Sequence, residues 1–232
     1  MAENFYVGAY WGPRRESAAE CAMRLSGCLS QLALAHPLLA TWYLKGSSRA
    51  AASKVAVDAS PENLLHLLNR GRNRRDIGGS IIEELGFRAS LWNRQKSAVS
   101  LTVTCGSYLA SGAVWNSVAI QLPPLGLEGS ELYEPSTARA ITRSIVDAWN
   151  PAWATWASYT MRDVQQPSST PVFGWLTYLN SSLGARISTV PLPPDVSVAK
   201  DLNGIMVQIG EDPVKANVTQ VLGLLAALDL QD

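Results

Sequence analysis

Cysteine and histidine are scarce in this sequence, which has 3 cysteines and 2 histidines among its 232 residues. The cysteines, Cys21, Cys28 and Cys105, are odd in number, and no two of them have the C-x-x-C spacing of a zinc or redox motif. A structural zinc site takes four Cys or His ligands. We therefore expect no metal centre, no cofactor held by such ligands, no disulfide framework and a reducing compartment.

An excess of charge of one sign is also lacking, because 19 basic residues balance 19 acidic ones. A protein that binds nucleic acid normally collects phosphates with a basic surface, so the composition argues against a nucleic-acid partner. The charge is uneven along the chain, however. Residues 1–96 contain 13 Lys and Arg against 8 Asp and Glu, and residues 97–232 contain 6 against 11. This asymmetry either attracts the two parts to each other or gives the surface a basic and an acidic face.

Long apolar runs are missing as well. The longest, Val221 to Leu230, is interrupted by Gly223 and Asp229 and is much shorter than the roughly 18 residues of a membrane span. The first residues contain no basic segment followed by an apolar one, so we expect no signal peptide. These absences predict a cytoplasmic protein without a membrane partner.

The motifs of the common enzyme classes are absent too. The sequence has no dinucleotide-binding glycine pattern, no phosphate-binding loop, no zinc-protease helix and no nucleophile elbow. His36 precedes Pro37 at a predicted helix end, and His66 lies among leucines of a second helix. Capping or packing explains both better than catalysis. We therefore expect no catalytic residue and a protein that is not an enzyme.

Apolar residues recur with both helical and strand spacing, which predicts an α+β protein with a mainly antiparallel sheet flanked by helices. Whether residues 1–232 form a single domain or two α+β halves meeting near residues 123–135 stays open. The first predicted helix has apolar positions from Ala18 to Ala35 and is closed by Pro37. The others begin at Ser60-Pro61, run from Ser136 or Thr137 to Trp149, and begin at Pro213. The predicted strands are 5–11, 87–92, 99–105, 117–122, 152–159, 172–178, 185–190 and 202–209.

Eight tryptophans are more than a core of this size normally contains. Tryptophan is frequent both in sheet packing and among the anchors of protein interfaces, so both roles are open. Trp149, Trp153 and Trp156 flank a predicted helix-to-strand junction, where we expect them to form one hydrophobic brace.

The densest charge cluster consists of Arg70, Arg72, Arg74 and Arg75. Carboxylates follow at once, and no aromatic residue that could stack on a base lies between the arginines. Guanidinium groups pair well with carboxylates. We therefore expect these arginines to pair with acids of this chain or of a protein partner.

Several segments together resemble one family, the immunity protein 52 family of bacterial polymorphic toxin systems. They are FYVGAYWGPRRESAAECAMRL, LLNRGRNRRDIGGSIIEELGFRASLWN, VTCGSY, NSVAIQLP and PVFGWLTYLN. Members of that family protect the producing cell or its kin from a restriction-endonuclease-like nuclease toxin. The resemblance implies a cytoplasmic bacterial protein that binds and neutralises a cognate nuclease toxin encoded nearby, and it supplies no catalytic motif. A non-catalytic adaptor and an enzyme without recognisable motifs remain the alternatives.

The resemblance also directs attention to the acidic second part of the chain. A nuclease holds phosphates with cations, so a negatively charged surface is attracted to it. Within the stretch LGLEGSELYEP, the leading candidates for the toxin contact are Glu128, Glu131, Tyr133 and Glu134. The arginines at 70, 72, 74 and 75 form the second candidate patch.

Overall fold

A computed structural model describes residues 3–46, 52, 54–109, 116–126, 129–165, 171–187 and 191–228. Its centre is a nine-stranded sheet in the order β2-β3-β4-β5-β1-β6-β7-β9-β8, in which all neighbouring strands are antiparallel. The strands are β1 Phe5–Trp11, β2 Tyr43–Leu44, β3 Phe87–Trp92, β4 Ser100–Cys105, β5 Asn116–Gln121, β6 Trp153–Ser158, β7 Leu176–Asn180, β8 Val196–Asp201 and β9 Gly204–Ile209. This arrangement confirms the predicted α+β class.

Six α-helices accompany the sheet in the described residues: α1 Ala18–Ala35, α2 Pro61–Arg70, α3 Pro135–Trp149, α4 Tyr159–Val164, α5 Ser181–Ile187 and α6 Val218–Ala227. A capping box starts α1, because the Ser17 side chain accepts the backbone N–H of Glu20 while the Glu20 carboxylate accepts the N–H of Ser17. The apolar stripe of α1 is buried, as its spacing predicts, and this helix packs against both α2 and α3. No helix among the described residues combines the length and apolar character needed to span a bilayer.

The first strand joins the two parts of the sheet, because β1 pairs with β5 on one side and with β6 on the other. Its alternate side chains face opposite ways, as the two-residue period of a strand requires. Trp11 stacks on Trp149 of α3, whereas Tyr10 stacks on Trp153 at a ring distance of 4.3 Å. Residues 87–121 therefore continue into residues 153–209 as one sheet through an N-terminal strand.

The prediction that three tryptophans form one hydrophobic brace is wrong for Trp153. Trp149 and Trp156 are fully buried on the face of the sheet that α3 covers, where the ring of Tyr133 lies edge-on to Trp156. Trp153 points to the opposite face, because it is three residues from Trp156 in the same strand. Two of the three rings therefore pack on one face of the sheet, and the third packs on the other face.

The strand predicted at 185–190 is also wrong. Residues up to Ile187 form helix α5, and residues 188–190 lie outside the described part of the chain. The side-chain oxygen of Asn180 accepts the N–H of Leu183 at 3.0 Å, and this local bond turns the chain into a helix directly after β7. The fourth strand of this part is β8, which the sequence pattern did not predict.

The last helix starts later than predicted. Asn217 and Gln220 form a capping box, so α6 begins at Val218, and Pro213 belongs to a preceding turn. Val214 in this turn is 72% exposed. The two reciprocal side-chain hydrogen bonds of the capping box satisfy free backbone N–H groups at the helix start. A proline at the first helical position provides no such hydrogen bond.

All three cysteines are buried free thiols. Burial raises the pKa of Cys28 to about 12. A contact with the Cys21 thiol, together with burial, raises the pKa of Cys105. A thiol with a high pKa and no access to solvent reacts slowly, because the thiolate is the nucleophile.

We expect a water-soluble disulfide reagent at pH 8 to label no cysteine of the native protein within minutes and to label three after denaturation. The measurement is the mass of the labelled chain with and without denaturant. Rapid labelling of any thiol in the native state would contradict the packing described above.

Candidate functional site

The acidic loop, residues 125–135, connects β5 to α3. Within the described part of this loop, Ser130–Tyr133 form a short 3-10 helix. Glu134 caps the end of that helix and directly precedes α3. The side chains of Glu131 and Glu134 are exposed and form no ion pair in the part of the chain that the structure describes. Glu128 lies outside the described residues.

Tyr133 anchors this loop to the core from within. Its side chain is 5% exposed, its hydroxyl donates to the carbonyl of Pro123 at 2.5 Å, and its ring lies edge-on to Phe5 at 5.3 Å. Burial raises the pKa of the Tyr133 hydroxyl above its usual range. Tyr133, a leading candidate for the toxin contact, therefore has its side chain in the core of this chain. The ring instead fixes the backbone that carries Glu131 and Glu134.

The acidic loop lies beside the end of α1. His36 ends that helix, and its Nδ1 atom accepts the N–H of Leu38 at 3.1 Å. Burial lowers the pKa of His36, and the carboxylate of Glu131 opposes this shift. The histidine therefore caps a short 3-10 helix and lies next to the loop.

The arginine hairpin, residues 72–82, follows α2 and leads into β3. The N–H of Arg75 donates to the carbonyl of Ser80, and the N–H of Ile82 donates to that of Asn73, both at 2.9 Å. Gly78 and Gly79 form the turn with φ values of +80° and +64°, which glycine adopts without strain. The Ile77 side chain at this tip is 91% exposed.

The four predicted arginines differ in their surroundings. Arg72 forms an ion pair with Glu83, and its guanidinium lies over the Phe87 ring, 5.5 Å from the centroid. Arg74 donates to the carbonyl of Gly79 at 3.0 Å. Arg70 and Arg75 are exposed and make no ion pair with another described residue. Pairing with a carboxylate of this chain is thus observed for Arg72, while the other arginines are available to a partner.

The acidic loop and the arginine hairpin lie at opposite ends of the strands. The hairpin enters β3 at Phe87, which pairs with Cys105. The loop leaves β5 after Gln121, which pairs with Ser100, the partner of Trp92 at the other end of β3. Six-residue strands that rise roughly 3.4 Å per residue separate the two by about 17 Å. A single small contact patch therefore cannot contain both candidate sets.

The N-terminal motif AYWGPRRE builds a structural network. The carboxylate of Glu16 bridges the guanidinium groups of Arg14, at 2.9 Å, and Arg24, at 2.6 Å. The same two arginines donate to the carbonyls of Trp149 and Ala148 at the end of α3. Cations at a helix C-terminus are favourable, so this motif fastens α1 and α3 together. Sequence spacing alone could not show this long-range pairing.

Metal-binding geometry is not found among the described residues. No group of three or more His, Cys, Asp and Glu side chains there could hold a metal ion, and His66 is exposed on α2. A cleft of about 320 Å³ includes Lys45, Trp92 and Ser100 in its wall. None of its described lining residues is a histidine or a carboxylate, the groups that most often activate a serine.

Comparison with known proteins agrees with the sequence resemblance. The family model described as Immunity protein 52 matches residues 3–224. No curated protein matches the sequence. Among solved structures, a T6SS protein of Pseudomonas aeruginosa has a TM-score of 0.54 and 14% sequence identity, and the match covers 97% of this chain and 75% of that one. At this identity the likeness establishes a shared fold.

Proposed function

Because the chain belongs to the immunity protein 52 family, we propose that it binds and neutralises a cognate nuclease toxin in the bacterial cytoplasm. The observation that carries this proposal is the family match over nearly the whole chain. An immunity protein acts within a toxin system, and binding rather than turnover is its task. The nuclease chemistry of the toxin, its nearby gene and its contact surface are the parts that experiment must test.

The acidic loop is the proposed toxin contact. A nuclease presents cations for phosphate binding, and exposed carboxylates such as those of Glu131 and Glu134 attract such a surface before contact. The buried Tyr133 side chain fixes the backbone next to Glu131 and Glu134 in advance, so less conformational entropy is lost on binding there. Attraction between charges is not enough to keep a toxin bound. We therefore expect a contact surface of ordinary size, which buries about 1,600 Å² or more.

The direct test is co-purification of this chain with the product of the adjacent gene, followed by a nuclease assay of that product with and without the chain. Stable binding with loss of nuclease activity supports the proposal. If the adjacent product does not bind, or if it binds and has no nuclease activity, the nuclease assignment is wrong.

The loop contact is tested by the triple variant Glu128→Lys, Glu131→Lys and Glu134→Lys. We expect association with the toxin to slow by about tenfold or more at low salt and protection of toxin-expressing cells to weaken. Thermal stability should stay nearly unchanged, because the Glu131 and Glu134 side chains are exposed and changes at exposed side chains cost little. The measurements are binding kinetics, a plating assay and a thermal melt.

A matched control carries the same change in net charge at exposed acids outside the loop, namely Glu3→Lys, Glu62→Lys and Asp147→Lys. The control should associate faster than the loop variant. If both variants slow association equally, the loop has no special role, and if the loop variant binds and protects like the parent, the loop is not the contact.

A further inference from the structure

The arginine hairpin combines an exposed apolar tip with a cationic rim, and we propose that it is a second docking element for the toxin. In this proposal Ile77 enters an apolar pocket on the toxin whose rim is acidic. The inference rests on the proposed function, because the toxin is its occupant. It adds a contact that needs an acidic surface on the toxin, whereas the acidic loop needs a basic one.

The first argument is the position of Ile77. Among the described residues it is the most exposed large apolar side chain, at 91%, compared with 82% for Leu34 on α1. Single exposed apolar residues are common on protein surfaces, but this one lies at the turn of a projecting hairpin. A Cβ atom added at Gly78 or Gly79 would meet no atom within 4 Å. The tip thus stands clear of the body of the protein and is free to enter a concave surface.

The second argument is that the hairpin is ordered before any partner binds. Two backbone hydrogen bonds cross it, and the Arg74 side chain donates to the carbonyl of Gly79. At its base, Arg72 pairs with Glu83 and covers the ring of Phe87. A contact element that is fixed in advance loses little conformational entropy on binding.

The third argument is charge. The pair between Arg72 and Glu83 is internal, which leaves Arg70, Arg74 and Arg75 against Asp76 and Glu84. The exposed Arg88 on β3 adds a further cation next to the base of the hairpin. An apolar centre with a charged rim is the usual anatomy of a protein interface, and guanidinium groups bind carboxylates through paired hydrogen bonds. An acidic rim on the toxin is therefore the complement of this surface.

Nucleic acid is a poorer occupant than protein. An isoleucine offers no ring on which a base can stack, and the ring of Phe87, which lies beneath Arg72 at the base of the hairpin, is only 8% exposed. Proteins that hold single strands combine cations with exposed aromatic rings. The hairpin has the cations without the rings.

The test compares Ile77→Asp with Ile77→Lys, which remove the same apolar side chain and introduce opposite charges. The probe is the purified product of the adjacent gene, carrying a substitution that abolishes its activity. We expect both variants to dissociate at least about tenfold faster than the parent, as for the loss of an interface anchor. The Asp variant should also associate several-fold more slowly than the Lys variant at 50 mM salt, and this gap should close at 500 mM because salt screens charge.

Arg75→Glu should slow association in the same way as Ile77→Asp. Two controls remove matched features elsewhere: Val214→Asp removes an exposed apolar side chain from the turn before α6, and Lys200→Glu reverses an exposed cation on β8. Both controls should bind like the parent. Thermal melts of all variants check that the fold is intact.

The outcomes separate this inference from the proposed function. If the parent does not bind the adjacent product, both fail. If the parent binds and the Ile77 and Arg75 variants bind equally well, the hairpin is not a docking element while the proposed function stands. If the Lys variant associates more slowly than the Asp variant, the partner surface is basic and the acidic rim is wrong. Binding of a DNA duplex that survives 200 mM salt and is lost on Arg75→Glu would also overturn it.

Discussion

Replacing Glu16 by alanine is expected to lower the free energy of unfolding by about 3 kcal/mol. The Glu16 side chain is only 7% exposed and is the carboxylate partner of both Arg14 and Arg24, whose side chains are 27% and 37% exposed. Removing it leaves two partly buried cations facing each other without a counter-charge. The value lies at the lower end of the range for breaking a buried pair, because solvent reaches both arginines. Chemical denaturation measures the change.

Two further variants show whether charge or shape is responsible. Glu16→Gln keeps the side-chain shape and an accepting oxygen, so we expect about half the loss that alanine causes, in proportion to the remaining hydrogen bond. Glu211→Gln breaks the pair with Lys215, in which both side chains are more than half exposed, and should cost less than about 1 kcal/mol. A loss at Glu16 no larger than the loss at Glu211 would show that the network does not stabilise the fold.

This network explains why a family-like motif need not be a binding site. In AYWGPRRE, Trp11 stacks on Trp149, Arg14 lies over the Trp11 ring at 5.0 Å, and Glu16 joins the two arginines. These side chains connect the N-terminal strand to the end of α3. A motif can therefore identify a family through its core while the partner-binding residues lie elsewhere.

Local patterns predicted most of the sheet and the first three helices. The alternation in residues 87–92, 99–105 and 117–122 predicted a meander that the structure contains as β3, β4 and β5. Two of the errors lie at capping bonds. Asn180 turns the chain into α5, and Asn217 with Gln220 starts α6. Apolar spacing cannot reveal these bonds, because they depend on single polar side chains.

The candidate surfaces were less predictable than the fold. Charge clustering found the acidic loop and the arginines, because charge is visible in composition. It did not show that Tyr133 is buried, since an aromatic residue in an acidic stretch suits an interface as well as a core. It also missed Ile77, whose exposure depends on how the hairpin projects from β3. Burial is set by distant elements, and one local window contains no information about them.

The base of the arginine hairpin yields the second large expected effect, because Gly71→Ala should disturb both stability and binding. Gly71 follows α2 and lies so close to β3 that a Cβ atom there would be 1.7 Å from the carbonyl oxygen of Arg88. The N–H of Arg88 donates to the carbonyl of Gly71 at 3.1 Å. A methyl group forces the two backbones apart and breaks this bond. We expect a loss of about 2–3 kcal/mol, as for overpacking against a rigid neighbour.

Gly27→Ala is the matched control for this variant. Gly27 lies within α1, and an added Cβ atom would meet nothing within 4 Å. Alanine is the better helix former, so this change should raise stability by about 1 kcal/mol. Chemical denaturation measures both variants, and hydrogen exchange at the Arg88 amide reports the local bond. In Gly71→Ala that amide should exchange faster and toxin should dissociate faster, because the hairpin that carries Ile77 loses its attachment to β3. Unchanged exchange and stability would show that the backbone has room for the methyl group and that the hairpin does not depend on this contact.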